Sequence, residues 1–155
     1  IGTRLPLPKV AAGIQALAPG LTADAAGLEA AAVALRTTDS VTKVATTSIT
    51  LGDADGGSVQ VTVSGIAKGV GMIHPRMATM LSVVLTDAAI APEVLWGLLR
   101  PAAARTWDQL SVDGDTSTND TVFVLASGAA GATTIEAGSD AAATLGAAIE
   151  AIGRD

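Results

Sequence analysis

Apolar positions along this chain recur first at helical spacing, then in strict alternation, then at helical spacing again. Leu7 to Gly20 (LPKVAAGIQALAPG) and Leu21 to Asp39 (LTADAAGLEAAAVALRTTD) are Ala-rich with apolar side chains three and four apart, which predicts two helices. Thr22 is the expected N-cap of the second, and Thr37–Thr38–Asp39 ends it. Lys43 to Leu51 (KVATTSITL) alternates and is β-branched, GDADGG is turn chemistry, and Ser58 to Gly69 (SVQVTVSGIAKG) alternates again. That pattern is a β-hairpin. Thr79 to Ala88 (TMLSVVLTDA) predicts a third strand. Pro92 suits the first turn of a helix running to Trp107, which Pro101 should kink or split. The apolar run after Asn119 reads as a helix capped by Ser117 or Thr118, with a strand as the alternative. A last amphipathic helix begins at a Ser139 cap. There is no internal repeat and no linker, and the order helices, strands, helices argues for a layered α/β or α+β fold.

Composition sharpens this picture mainly by exclusion. At 155 residues the length fits about one domain. Hydrophobic residues make up 49% and charged residues 15%, so the sequence folds, and the low charge suits part of a larger, well-covered body. Trp96, Trp107 and Phe123 are the whole aromatic set, leaving a core of Ala, Val, Leu and Ile. The net charge of −6 and the lack of any basic run argue against nucleic acid as a partner. No apolar run approaches the roughly 18 residues that span a bilayer. IGTRLPLPKV lacks the order of a signal peptide and no initiator Met is present, so the amino end is expected to be cut from something longer. With no cysteine, thiolate catalysis, disulfides and Cys-based zinc sites are all excluded, and a cytoplasmic location fits.

Four stretches could carry chemistry. Asp113 to Asp120 (DGDTSTND) packs three aspartates and three hydroxyl residues together, but its Gly and the absence of a following Glu do not match a calcium loop. It reads as a polar turn whose side chains cap the next helix. His74 is the only histidine and has no second ligand nearby in sequence, so a structural role is favoured over metal binding. KGVG, from Lys68 to Gly71, lacks the order of a phosphate loop, and its glycines are expected to allow a tight turn or a close approach. Thr79 stands where a Gly-rich, Pro-containing loop becomes a strand, just after the small Ala78. A threonine there is ordinary β-propensity, or it is a nucleophile whose freed α-amine, with a reference pKa of about 7.7–8.0, serves as its own base. Pattern alone leaves both readings open.

KGVGMIHPRMATML resembles the self-cleavage segment of the ornithine acetyltransferases, the bifunctional glutamate N-acetyltransferases of arginine biosynthesis. TTDSVTK and SVDGDTSTNDTV resemble two further signature stretches of that family, in the family's order. The resemblance implies an N-terminal-nucleophile-like α/β sandwich, central β-sheets flanked by helices. It implies a cut between Ala78 and Thr79, after which Thr79 accepts acetyl from N²-acetylornithine and passes it to glutamate. It further implies Lys68 as a substrate contact, with Thr37, or Thr38 as the alternative register, as another. Processed chains of the family assemble as heterotetramers; no metal or cofactor is implied, and some members also use acetyl-CoA as donor.

Residues 1–155 then form the central part of one larger catalytic domain, with 1–78 closing the α chain and 79–155 opening the β chain. The family's oxyanion-hole stretch resembles TGVIG, of which this chain carries only the closing IG. Its active-site glutamate follows a stretch resembling RDGEGA, and this chain stops at GRD. The chain alone is therefore not expected to be a competent catalyst. Val70 and Arg76 stand where the family leads one to expect Ser or Ala, and Asn or another residue. Two rivals share the sequence: a self-processing threonine amidohydrolase or aminopeptidase using water as acceptor, and a non-catalytic structural domain.

Overall fold

A computed structural model describes residues 2–53 and 55–155. Its helices are α1 (Leu7–Leu17), α2 (Ala25–Leu35), α3 (Pro92–Arg105) and α4 (Asp140–Ile152). Its strands are β1 (Lys43–Gly52), β2 (Ser58–Lys68), β3 (Ile73–His74), β4 (Met77–Ala78), β5 (Leu81–Thr86) and β6 (Thr121–Ala126). This is the expected layered α/β architecture, built on one four-stranded mixed sheet of order β1-β2-β5-β6 and a separate β3-β4 ribbon.

The hairpin forms as its alternation demands, with β1 and β2 antiparallel from Lys43 opposite Ala67 to Gly52 opposite Ser58. Ala54 of its turn lies outside the described residues. β5 pairs antiparallel with β2, Lys68 facing Leu81, so this strand begins at Leu81 and leaves Thr79 just outside it. One face of the sheet carries Val61, Val63 and Val84, fully buried with Leu145 and Ile149 of α4. Helices α3 and α4 pack on each other, and Glu150 accepts from both Arg105 Nε and Arg154 Nη2 at 2.6 Å, fastening their ends. Helix α2 lies against β1 and β2. Leu85, Phe123 and Leu125 remain exposed on the face opposite Val84.

Three local expectations are corrected. Asp24, rather than Thr22, caps α2: its Oδ1 accepts the Gly27 N–H at 2.8 Å, and Thr22 donates to that same oxygen. A carboxylate is the stronger acceptor and also complements the positive helix end. Pro101 does not split α3, which runs unbroken to Arg105. Proline removes one backbone bond there, while Leu99, Ala102 and Ala103 stay buried in the core. The run after Asn119 is strand β6, not a helix, and pairs parallel with β5 from Leu81 opposite Thr121 to Thr86 opposite Ala126. Helix α3 supplies the long crossover that a parallel pair needs, and this tertiary pairing overrides a cap-like approach.

The core sets a stability expectation. Replacing fully buried Leu145 by Ala should cost about 2–5 kcal/mol, the usual range for a core Leu. A urea unfolding midpoint unchanged from wild type would contradict this packing.

Candidate functional site

Between the paired ends of β2 and β5, residues 69–80 leave the sheet and return. The excursion starts at Gly69, whose φ of 141° favours glycine, and whose absent Cβ would sit 3.0 Å from the Thr79 carbonyl oxygen. Outgoing and returning backbones thus meet more closely than a side chain would permit. At its tip, β3 and β4 pair Ile73 with Ala78 and His74 with Met77 around a Pro75–Arg76 turn. Arg76 has a φ of 65°, which with Pro75 before it fits a type II turn. That position favours Gly or Asn, which gives a physical reason for the Asn expected there. Met72, at φ 57°, is the other left-handed residue of the loop without glycine's freedom.

Two carboxylates hold this loop from outside. Asp39 is buried and accepts from Lys43 Nζ, from Gly69 N–H at 2.8 Å and from Thr37 N–H at 3.5 Å. Burial pushes its carboxyl up, but the Lys43 hydrogen bond, the two N–H bonds and the Lys43 charge outweigh that and bring its pKa down to about 2. Asp113 accepts from Met72 N–H at 2.8 Å and from Ile73 N–H at 3.1 Å. Those two bonds, Met72's first, hold its carboxyl below the usual range. Backbone bonds join the same segments: Val112 N–H to Ile73 O at 3.0 Å, Ser117 N–H to Met77 O at 2.8 Å, and Thr121 N–H to Met80 O at 3.0 Å.

Thr79 sits at the centre of this arrangement. Its N–H donates to Met72 O at 2.9 Å, and the Ala78–Thr79 peptide is trans. Ala78, on the inner side of the ribbon, is buried with Ile73. Thr79 Oγ1 is buried and has no hydrogen-bond partner among the described residues. A buried hydroxyl without a partner is uncommon and costs about 1–3 kcal/mol, a state that Arg36 Nε shares among the described residues. Chemically the arrangement offers a free hydroxyl next to a peptide carbonyl whose backbone is fixed on both sides.

The other expected residues fall around it unevenly. Lys68 ends β2 beside Gly69, is half-buried and makes no ion pair among the described residues. Thr37 and Thr38 are exposed, and Asp39 ties their segment to the Lys68–Gly69 end of β2. A groove of about 260 Å³ is lined by Lys43, Lys68, Gly69, Met80, Ser82 and Trp107, among others. A hollow of about 210 Å³ lies by Trp96, Arg100 and Asp120; Thr79 lines neither. His74 is exposed, with Nδ1 3.1 Å from the neighbouring Pro75 carbonyl oxygen, and faces no catalytic partner. The DGDTSTND stretch is a polar loop, but it leads into β6 and caps no helix. No group of three or more His, Asp or Glu among the described residues is placed to hold a metal ion. Sequence reading missed Asp39 and Asp113, since nothing local reveals a partner 30 or 41 residues away.

The family model described as the ArgJ family matches residues 1–155. Among similar proteins is the "Arginine biosynthesis bifunctional protein ArgJ" of Thermobifida fusca, 50% identical over 137 residues, covering 88% of this chain and 33% of that protein. The protein of that name from Symbiobacterium thermophilum is 47% identical over 139 residues, covering 90% and 33%. The protein named "Arginine biosynthesis bifunctional protein ArgJ, mitochondrial" from Pyricularia oryzae is 45% identical over 131 residues, covering 84% and 28%. The chain therefore spans about three tenths of the length of these relatives. No helix of the described residues is long and apolar enough to cross a membrane.

The Asp39 clamp predicts a pH window. Its folded pKa, about 2, lies below the ordinary 3.8, so its stabilisation is complete above about pH 4 and fades as pH falls toward 2. Asp39→Asn should lower stability at pH 7, and the gap from wild type should close between about pH 4 and pH 2. A pH-independent gap in urea midpoints would show that the carboxylate charge is not what holds Gly69 and Lys43.

Proposed function

The chain belongs to the ArgJ family, and on that premise we propose that it carries the self-cleaving threonine of an acetyltransferase of arginine biosynthesis. The observation that supports this most directly is Thr79 itself, with a buried, unpartnered Oγ1 beside a peptide bond held in a clamped loop. In the proposed cut, Thr79 Oγ bonds to the Ala78 carbonyl carbon and the bond from that carbon to the Thr79 nitrogen breaks. The hydroxyl proton ends on the nitrogen, and water then hydrolyses the ester. Residues 1–78 become the end of one chain and 79–155 the start of the other, within one larger catalytic domain.

The freed α-amine then serves as base. It takes the Oγ proton as Thr79 attacks the acetyl carbonyl of N²-acetylornithine, and ornithine leaves with its amine restored. Glutamate's amine attacks the acetyl-threonine and carries the acetyl away, a ping-pong course with no cofactor of the enzyme's own. Acetyl-CoA is an alternative donor for the first half. Lys68, at the end of β2 and without an ion pair among the described residues, supplies a point charge for a substrate carboxylate. Thr37 or Thr38, tethered to the same corner by Asp39, provides a second polar contact. Parts of the protein beyond this chain supply the oxyanion donors that a tetrahedral intermediate needs. The processed chains pair as heterotetramers, and the cytoplasm is the proposed compartment.

Mass spectrometry of the full-length protein should find a fragment whose first residue is Thr79. Thr79→Ala should stay whole and lose acetyl transfer from acetylornithine to glutamate by at least about a thousandfold, as loss of a covalent nucleophile does. An uncut, fully active wild type would remove this reading. Release of free acetate without acetylglutamate would instead point to a hydrolase. Lys68→Met should raise the KM for acetylornithine about tenfold or more while leaving cleavage intact; an unchanged KM would take Lys68 out of the substrate site.

A further inference from the structure

Asp113 has no part in the acetyl-transfer scheme, yet it grips the residue on which the nitrogen of the Ala78–Thr79 bond leans. Met72 accepts the Thr79 N–H on its carbonyl at 2.9 Å, and its own N–H donates to Asp113 Oδ2 at 2.8 Å. Its φ of 57° is one that a methionine does not hold unaided. Asp113 Oδ1 takes the next N–H, of Ile73, and that of Asp115 in its own turn at 3.2 Å. A Cβ on Gly71 would come within 3.2 Å of Asp113 Oδ2, so this glycine lets the carboxylate in.

Fastening one loop to the other does not require this side chain. Val112 and Ser117 already bond the ribbon through Ile73 O and Met77 O, backbone to backbone. What Asp113 adds is control of Met72, the residue in contact with the amide to be cut. Resting on the self-cleavage proposed above, we infer that Asp113 is the positioning residue for that cleavage. It fixes the Met72 carbonyl so that the Thr79 nitrogen is held while Oγ swings to the Ala78 carbon. As the carbon–nitrogen bond breaks and the hydroxyl proton arrives on nitrogen, Met72 O keeps accepting from the amine being formed. A carboxylate suits the task because each of its oxygens can accept a separate backbone N–H, whereas an amide of the same shape presents one oxygen and one donor group.

The test uses the full-length protein made by timed cell-free translation, with conversion at the 78/79 bond followed by gel and mass spectrometry. Asp113→Asn keeps the shape and should slow conversion about ten- to hundredfold, the range for a lost charge-assisted bond at a reacting group. The same variant should regain acetyl transfer when the protein is instead produced as two segments, the second starting at Thr79 once its initiator Met is removed. Conversion of Asp113→Asn at the wild-type rate overturns the inference. So does slow conversion with no recovery in the two-segment form, which makes Asp113 a general structural anchor. A wild type that never converts removes the self-cleavage reading, and this inference with it. That result differs visibly from a wild type that converts beside a variant that converts equally fast.

Discussion

Several peptide groups in the excursion between β2 and β5 are not satisfied by its short β3–β4 ladder, and much of the site follows from which acceptors they find. Gly69 N–H goes to Asp39, and Met72 and Ile73 N–H go to Asp113. Each acceptor comes from a loop remote in sequence, one before the hairpin and one just ahead of β6. Because a hydrogen bond to a charged acceptor is stronger than a neutral one, these bonds help fix the path of the loop and bring three separate segments to one corner of the sheet. Thr79 inherits its place from them: its amide on Met72 O, its carbonyl against Gly69. Remove the acceptors and the paired ends of Lys68 and Leu81, the β3–β4 pairs and the bonds from Val112 and Ser117 would remain, but the N–H groups of Gly69, Met72 and Ile73 would lose the partners that place them.

What was legible in the sequence divides along the same line between local and distant causes. The hairpin, the Pro92 start of α3 and the Ser139 cap of α4 depend on neighbours within a few residues, and all three are present. Strand β6 depends on β5 lying beside it, and the polar TSTND approach imitates a helix cap, so its Val and Phe content was outweighed. Asp39 and Asp113 were named only as parts of motifs, since their partners lie across loops that periodicity does not describe. His74 conversely drew notice by its chemistry, and its ring is exposed beside its own chain neighbour.

Backbone shape adds a constraint that hydrogen bonding alone does not. Gly69, Met72 and Arg76 all have positive φ within eight consecutive residues, and only the first is glycine. Non-glycine residues in that region cost about 1–3 kcal/mol each and persist only where surroundings over-determine them. Here the surroundings are visible: the Pro75–Arg76 turn closed by the β3–β4 pairs, and Met72 bonded through both its N–H and its carbonyl. The loop is therefore a stiff and slightly uphill segment, not a slack connection.

That cost bears on why Thr79 Oγ1 is left without a partner. A hydroxyl committed to a structural acceptor must break that bond before it can attack, which adds to the barrier; an unpartnered one begins without that handicap. In the proposed cut the new α-amine of Thr79 gives the buried hydroxyl a partner within its own residue, while the Asp113 bonds and the β3–β4 pairs that hold Met72 and Arg76 do not involve the bond that breaks. A threonine within β5 could direct its hydroxyl to a ladder carbonyl, as Ser82 does to Ile66; Thr79, just outside that strand, has no such partner among the described residues.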